Sequence, residues 1–160
     1  MANQDVKTSL AGIEDMTRRL EQLGTRVAAR GPSAGVRAGG AAVVKEMRRR
    51  APKETGSLKK SIGQKVKQYR RNQTVTSIIG ARSKPYKTAK GKRNPAYYAH
   101  LVEMGVAPHR TGRQGGRHPG FKARPFMRPA WDAAAPRARA AVVDKMTEVF
   151  AKEAQALAST

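Results

Sequence analysis

The chain has 160 residues, with 33 lysines and arginines against 11 acidic residues, a formal net charge of +22. This length is typical of one domain. The charge indicates an acidic partner surface or nucleic acid nearby, and repulsion among the positive charges disfavours a compact isolated monomer. The absence of cysteine excludes disulfides and thiolate metal sites. We see neither a secretory signal pattern nor an apolar run of the roughly 20 residues that span a bilayer, so we expect a soluble protein made in the cytoplasm, without membrane contact.

Positive charge is concentrated in the middle of the chain. From Arg48 to Arg128 there are 22 basic residues and only two acidic ones, Glu54 and Glu103. Both ends of the chain are close to balanced in charge, as ordinary surface helices are. We therefore expect the middle of the chain to face the acidic partner.

Residues 1–50 are predicted to form the N-terminal helical region of a single domain that covers residues 1–160. Apolar residues recur there at intervals of three and four, which is typical of an amphipathic helix, although residues 6–10 could instead form a short strand. Pro32 and two glycines predict a break at residues 30–35. The apolar stripe before this break consists of Val6, Leu10, Ile13, Met16, Leu20, Leu23 and Val27.

A second helix is predicted from about Ala34 to Arg50, ended by Pro52. Gly39 and Gly40 lie inside it and weaken it by about 1 kcal/mol each relative to alanine. Two such glycines are tolerable where another part of the backbone packs closely against the helix.

Residues 51–128 are predicted to form a basic region of strands and loops. A turn at Thr55–Gly56 precedes two short runs rich in threonine and β-branched residues, Gln64–Tyr69 and Thr74–Gly80. Such runs predict an antiparallel hairpin.

Two basic stretches follow, residues 83–95 and residues 106–120, and both are predicted to be exposed loops. Between them, Ala96–Gly105 is predicted to be ordered, as either a short helix or a strand.

Residues 129–158 are predicted to form the C-terminal helix, with a kink or a division into two helices at Pro136. Just before it, Ala123–Phe126 is predicted to be extended and to bury Phe126 and Met127 against the sheet. Pro129 suits the first helical position, where its missing amide costs little, and Trp131 would then face the core. Together the elements predict an α+β fold, with N-terminal helices and a long C-terminal helix packed on a small, mainly antiparallel sheet.

Catalytic chemistry has few candidate residues in this chain. Paired acid/base catalysis needs two carboxylates, and the basic region offers only Glu54 and Glu103. His109 and His118 lack the neighbouring cysteines or carboxylates of metal sites, and no glycine-rich phosphate-binding motif is present. We therefore predict no enzyme activity, no cofactor and no metal.

Glu103 is an isolated carboxylate in a positive region, beside Gly105. Such a group pairs with an arginine or caps a backbone turn. We favour an ion pair with Arg124 or Arg128.

The basic stretches allow two interpretations. Their lysines and arginines are either a solvated surface or contacts to DNA phosphates that read no sequence. The candidate residues that face DNA or another partner are Lys84, Lys87, Lys90, Lys92, Arg93, Arg110, Arg113, Arg117 and Lys122.

Three motifs occur in order between the terminal helices, and their series resembles the tail-component family of long-tailed bacteriophages, the tail-completion or neck proteins of the head–tail joining region. They read AP..TG.L..SI from Ala51, YA...E.G from Tyr98 and ARPF.RPA from Ala123. This chain departs from the family pattern at Val106, where members usually have threonine. The fold or interface residues that the resemblance implies are Pro52, Thr55, Gly56, Tyr98, Glu103, Gly105, Arg124, Pro125, Phe126, Arg128 and Pro129.

The resemblance implies a non-enzymatic virion protein, made in the host cytoplasm and assembled as a homo-oligomeric ring around the DNA channel. Its implied partners are the tail terminator or tail tube proteins and the head-side connector proteins, with non-specific contact to packaged DNA. One alternative is a non-specific nucleic-acid-binding protein of ribosomal or chromatin type, which would bind tightly as a monomer. A second alternative is a nuclease, for which few carboxylates are available to hold a metal.

Overall fold

The computed structural model describes residues 2–53, 56–69, 74–82, 86–88, 91–93, 96–112 and 116–159, with the side chains of residues 2–12, 86–88 and 91–93 left out. The elements in chain order are α1 (Ala2–Arg50), α2 (Ser57–Ser61), β1 (Ile62–Tyr69), β2 (Thr74–Ala81), β3 (Tyr86–Thr88), β4 (Gly91–Arg93), α3 (Ala96–Met104), β5 (His109–Thr111), β6 (Gly116–His118) and α4 (Met127–Ala158). In the described part of the chain the strands form three separate two-stranded antiparallel sheets, and the α+β class is confirmed.

The two long helices, α1 and α4, pack against each other in antiparallel orientation. A Cβ added at Gly39 would lie 2.8 Å from the Ala138 carbonyl oxygen and 2.6 Å from a methyl group of Val142. Further along, Arg30 donates to Glu153 at 2.8 Å, and Glu153 is almost fully buried. The close approach expected of a glycine pair is therefore confirmed at Gly39, because a side chain there would occupy the space of α4.

The predicted break at residues 30–35 is wrong, as are the separate second helix from Ala34 and the strand alternative for residues 6–10. All these residues belong to α1, which contains Pro32 and ends at Arg50, as predicted. A proline inside a helix removes one hydrogen bond, at a cost of about 3 kcal/mol. Packing against α4 on both sides of Pro32 offsets this cost. Before Pro32, Arg30 bonds to Glu153, and after it, Gly35 lies against Met146.

The predicted hairpin is confirmed as β1 and β2, paired from Ile62 opposite Ala81 to Tyr69 opposite Thr74. In the middle of β1, from Gln64 to Lys67, half-buried residues alternate with exposed ones, as expected for a sheet with one face on the core. The buried face lies on α1, where the Gln64 amide donates to the Val36 carbonyl at 3.1 Å.

The core lies where the C-terminal half of α1 meets α2, α3 and the start of α4. Phe126 is fully buried there, as predicted, and Met127 packs on the same cluster. Trp131, in contrast, is 53% exposed, so its predicted position in the core is wrong. Small residues on α4 take the core positions in its place, namely Ala130, Ala134 and Ala138.

Three further expectations are resolved by the element bounds. Residues 96–104 form a helix, α3, and the strand alternative is wrong. The C-terminal helix begins at Met127 instead of Pro129 and continues through Pro136, so its division into two helices is wrong. The two stretches predicted to be loops contain short hairpins, β3–β4 and β5–β6.

Among the described residues, no helix combines the length and the apolar character that crossing a membrane requires.

Candidate assembly surface

Glu103, near the end of α3, holds the start of α4 by accepting hydrogen bonds from backbone amides. Its Oε2 accepts from the Phe126 amide at 2.7 Å and from the Met127 amide at 2.9 Å. Its Oε1 accepts from the Arg128 amide at 3.1 Å. A carboxylate at this end of a helix also suits the helix dipole. The favoured ion pair with Arg124 or Arg128 is therefore wrong as the main contact, and the backbone-cap alternative is confirmed.

Pro129 completes this cap. It occupies the third position of α4 instead of the predicted first, and it has no amide hydrogen to satisfy. The amide of Ala130 then makes the first bond within the helix, to the Phe126 carbonyl at 3.3 Å. The amides at the start of α4 thus all have acceptors, three of them from one carboxylate.

Burial of its carboxyl group raises the pKa of Glu103, but the amides of Met127, Phe126 and Arg128 outweigh that effect. The net result is a pKa below the ordinary value, so the group is ionised at neutral pH. A permanent negative charge strengthens all three hydrogen bonds.

The segment between α3 and α4 is tied down at two further points. Val106 and Phe121 exchange backbone hydrogen bonds of 2.9 Å, and the Arg124 amide donates to the Val102 carbonyl at 2.8 Å. Gly105 has φ of 76°, and a Cβ there would lie 2.6 Å from the backbone nitrogen of Ala123. Only glycine fits this turn without strain.

The motif residues that the resemblance implied are mostly structural. Leu58, Ile62 and Phe126 are buried in the core, and Tyr98 packs on it. Gly56, with φ of 69°, starts α2. The buried residues of the three motifs therefore explain how α2, α3 and α4 meet.

Four motif residues lie at or near the surface, including Arg128, whose amide belongs to the cap. Pro52 is half-buried after the end of α1, and Arg124, Pro125 and Arg128 are exposed. Thr55 lies outside the described residues.

The hairpin β5–β6 brings basic side chains together at the surface. Arg110 lies opposite Arg117, and both are exposed. The rings of His109 and His118 stack beside them, with centroids 5.1 Å apart. Like charges opposite each other destabilise a strand pair. This arrangement therefore favours an anion bound across the strands.

The other predicted cations are described only in part. Lys122 is exposed, close in sequence to this hairpin. The backbone of Lys87, Lys92 and Arg93 lies in the β3–β4 hairpin, while the positions of their side chains are not described. Lys84, Lys90 and Arg113 lie outside the described residues.

No cluster of three metal-ligating side chains occurs in the described part of the chain.

Sequence reasoning missed a cluster of charges around Glu46, on α1. Its carboxylate is almost fully buried and accepts hydrogen bonds from Arg49 at 2.6 and 3.0 Å and from Arg50 at 2.8 Å. A guanidinium nitrogen of Arg137, on α4, lies 3.7 Å away. The hydrogen bonds from Arg49 and Arg50 lower the pKa of Glu46 to about 2. The spacing of three and four residues was a signal for the first two contacts.

Sequence reasoning also missed that large apolar side chains remain exposed on both long helices. On α1 the stripe predicted from periodicity continues onto the surface, and on α4 a second set lies three and four residues apart. The exposed residues are Ile13, Met16 and Leu20 on α1, and Val143, Met146 and Phe150 on α4. Clustered apolar surface of this kind marks an interaction site.

No curated protein and no solved structure matches the chain significantly. A family model does match, over residues 14–105, which is more than half of the chain. The family is described as "Bacteriophage HK97-gp10, putative tail-component". The match includes most of α1, the β1–β2 hairpin and α3, while the third motif and α4 lie beyond it. The chain therefore belongs to the HK97-gp10-like family of bacteriophage tail components.

Proposed function

We propose that this tail component acts in head–tail joining or tail completion, as the subunit of a ring at the neck around the DNA channel. The observation that carries the proposal is the separation of two surfaces along α4. The basic hairpin follows α3, which is fixed to Met127 by Glu103. The exposed apolar side chains Val143 to Phe150 begin about 16 residues further on, which is about 24 Å along the helix.

Contacts between subunits would use the apolar side chains of α1 and α4. A monomer with a formal charge of +22 gains little from association through its basic surfaces. Near both apolar faces the charges are balanced, as between Lys145 and Glu148, which lie 2.7 Å apart. Each apolar side chain that becomes fully buried between subunits contributes about 1.5–3 kcal/mol.

The basic hairpin would then point to the DNA channel. Arg110 and Arg117 carry no carboxylate partner within the described part of the chain. Their contact with phosphates would be independent of sequence, as a channel that passes a whole genome requires. The proposed role is structural and non-enzymatic, with tail terminator or tail tube proteins and head-side connector proteins as neighbours.

The proposal is tested by producing phage particles without this chain. We expect filled heads and separate tails to accumulate, because the joint is missing, and we expect the supplied wild-type chain to restore joining. Joined particles that retain their DNA would contradict the proposal.

A second measurement separates assembly from the alternative of a nucleic-acid-binding protein. In the proposed role the monomer binds duplex DNA weakly. It oligomerises either by itself or on a partner protein. Tight, strongly salt-dependent binding by a persistent monomer would favour the ribosomal or chromatin-type alternative instead.

A further inference from the structure

A groove of about 960 Å³ lies beside the C-terminal half of α1, away from the β5–β6 hairpin in sequence. One wall is the surface of α1, the opposite wall is the start of β1 with Arg82, and Arg137 of α4 closes one side. Among the cations predicted from the sequence to face DNA or a partner, Arg110, Arg117 and Lys122 have described side chains, and none of these three lines this groove. It is therefore a separate positive surface, assembled from four segments of the chain.

The groove has a large excess of positive charge. Among the described residues, six cations and one carboxylate, Glu46, line it. Glu46 is already bonded to Arg49 and to Arg50, which lies just outside the groove. Arg48 is also engaged, because it donates to the Ile62 carbonyl at 2.8 and 3.1 Å. The cations at the rim that form no ion pair with any described carboxylate are Lys45, Lys59 and Arg82.

The position of Arg82 is set by the absence of a side chain at Gly63. A Cβ at Gly63 would collide with the Arg82 guanidinium, which therefore lies directly over the backbone of β1. The Arg82 amide donates to the Ser61 carbonyl at 3.0 Å and fixes the same segment. The backbone of this rim cation is thus fixed to the segment before β1, and the space left by Gly63 accommodates its side chain.

The groove is apolar between its cations. Ala41, Ala42 and Val44 contribute to its lining from α1. The phosphodiester backbone of DNA presents anionic oxygens and no apolar face to such a surface. A peptide helix with carboxylates along its sides and an apolar stripe between them matches both the rim and the floor.

The chain offers no such acidic segment of its own among the described residues. Most of the carboxylates whose side chains are described are engaged, and on both long helices the basic residues outnumber the acidic ones. The engaged carboxylates are Asp15, Glu46, Glu103, Glu148 and Glu153. The occupant is therefore a different protein.

We propose that this groove binds an acidic amphipathic segment of a partner protein, with Lys45, Lys59 and Arg82 contacting its carboxylates and Ala41, Ala42 and Val44 its apolar stripe. The inference goes beyond the proposed function, because it holds for a tail component at any position in the virion. Its test uses the purified full chain, so its failure is distinct from a failure of the neck assignment.

The probe is a synthetic helical peptide of about 15 residues, about 22 Å long, with leucines on one face and glutamates beside them. Binding is measured by fluorescence anisotropy against the wild type and two variants of equal charge. One removes the rim cations (Lys45→Gln, Lys59→Gln, Arg82→Gln), and the other removes the cations near β5–β6 (Arg110→Gln, Arg117→Gln, Lys122→Gln). Circular dichroism checks that each variant is folded.

We expect the groove variant to bind the peptide roughly tenfold more weakly and the hairpin variant less than about threefold, since each lost surface ion pair costs about 0.2–1 kcal/mol. Loss of binding to the same extent in both variants would show a general effect of charge and overturn the proposal. Tighter binding of a DNA duplex than of the peptide in the groove would also overturn the proposal. The same holds if the wild-type chain does not bind the peptide.

A second pair of variants keeps the test valid if the triple variant fails to fold. Ala41→Glu places one carboxylate in the groove, and Ala29→Glu places one at another exposed position of α1. Both have the same net charge. We expect only Ala41→Glu to weaken peptide binding, and an equal effect of the two substitutions would contradict the proposal.

Discussion

Replacement of Glu103 by glutamine tests how the start of α4 is held. The carboxylate accepts three backbone amides, and glutamine has one oxygen that can accept and an amino group that cannot. The Arg128 amide would face that amino group, while the remaining bonds to Phe126 and Met127 would lose their ionic character. Glu103→Gln also removes a negative charge from the positive end of the helix.

The expected loss of stability follows from these contacts. A hydrogen bond to a charged group contributes about 1.5–3 kcal/mol and a neutral one about 0.5–1.5 kcal/mol. The two bonds that become neutral lose about 1–1.5 kcal/mol each, and the bond lost at the exposed amide of Arg128 costs up to about 1 kcal/mol because water replaces it, so the total loss is roughly 2–4 kcal/mol. For a chain of this size that loss lowers the Tm by roughly 4–16 °C.

The assay is urea unfolding monitored by circular dichroism at pH 7 and at lower pH values. Because the pKa of Glu103 is lower in the folded protein than in the unfolded chain, its stabilisation is present above pH 4.5 and is lost as the pH falls below that value. The difference between the wild type and Glu103→Gln should therefore shrink in acid. A difference below about 0.5 kcal/mol at pH 7 would refute the capping role, since it is less than a neutral hydrogen bond contributes.

Three further predictions concern other parts of the fold. Gly39→Ala should lower the free energy of unfolding by about 1–3 kcal/mol because the added Cβ meets α4. Gly24→Ala has open space around it and should raise the free energy of unfolding by up to about 1 kcal/mol. If urea unfolding gave changes of the same sign for both substitutions, the close helix contact would be contradicted. Arg110→Gln with Arg117→Gln should reduce the salt slope of DNA binding by about 2, and an unchanged slope in titrations at several salt concentrations would mean that the hairpin does not contact phosphates. Glu46→Gln should be less stable than the wild type at pH 7. This difference in the free energy of unfolding should close between pH 4.5 and pH 2, because the pKa of Glu46 in the folded protein is about 2. A difference that persists at pH 2 would contradict the ion-pair cluster.

Local patterns predicted the elements whose stability depends on local chemistry. The threonine-rich runs gave the β1–β2 hairpin, because alternation of buried and exposed residues is visible over short distances. Pro52 and the preceding arginines marked the end of α1 at Arg50. Pro32 misled the prediction because α4, more than 100 residues away, packs on both sides of it.

The candidate surfaces were less accessible to sequence reasoning. Glu103 was identified as a structural carboxylate, but its partners are backbone amides, which leave no charge pattern in a sequence. The groove cations Lys45, Lys59 and Arg82 come from separate segments and converge only in the fold. The exposed part of the α1 stripe, from Ile13 to Leu20, has the same pattern as a buried face, because periodicity shows which residues share a side and not what covers it.

The most direct test of the neck assignment is an electron-microscopy reconstruction of the assembled phage particle. The account predicts this chain as a closed ring between head and tail, with the β5–β6 hairpins facing the DNA and the apolar faces of α1 and α4 buried between subunits. A reconstruction that places the chain elsewhere in the tail, or turns these hairpins away from the channel, would contradict it.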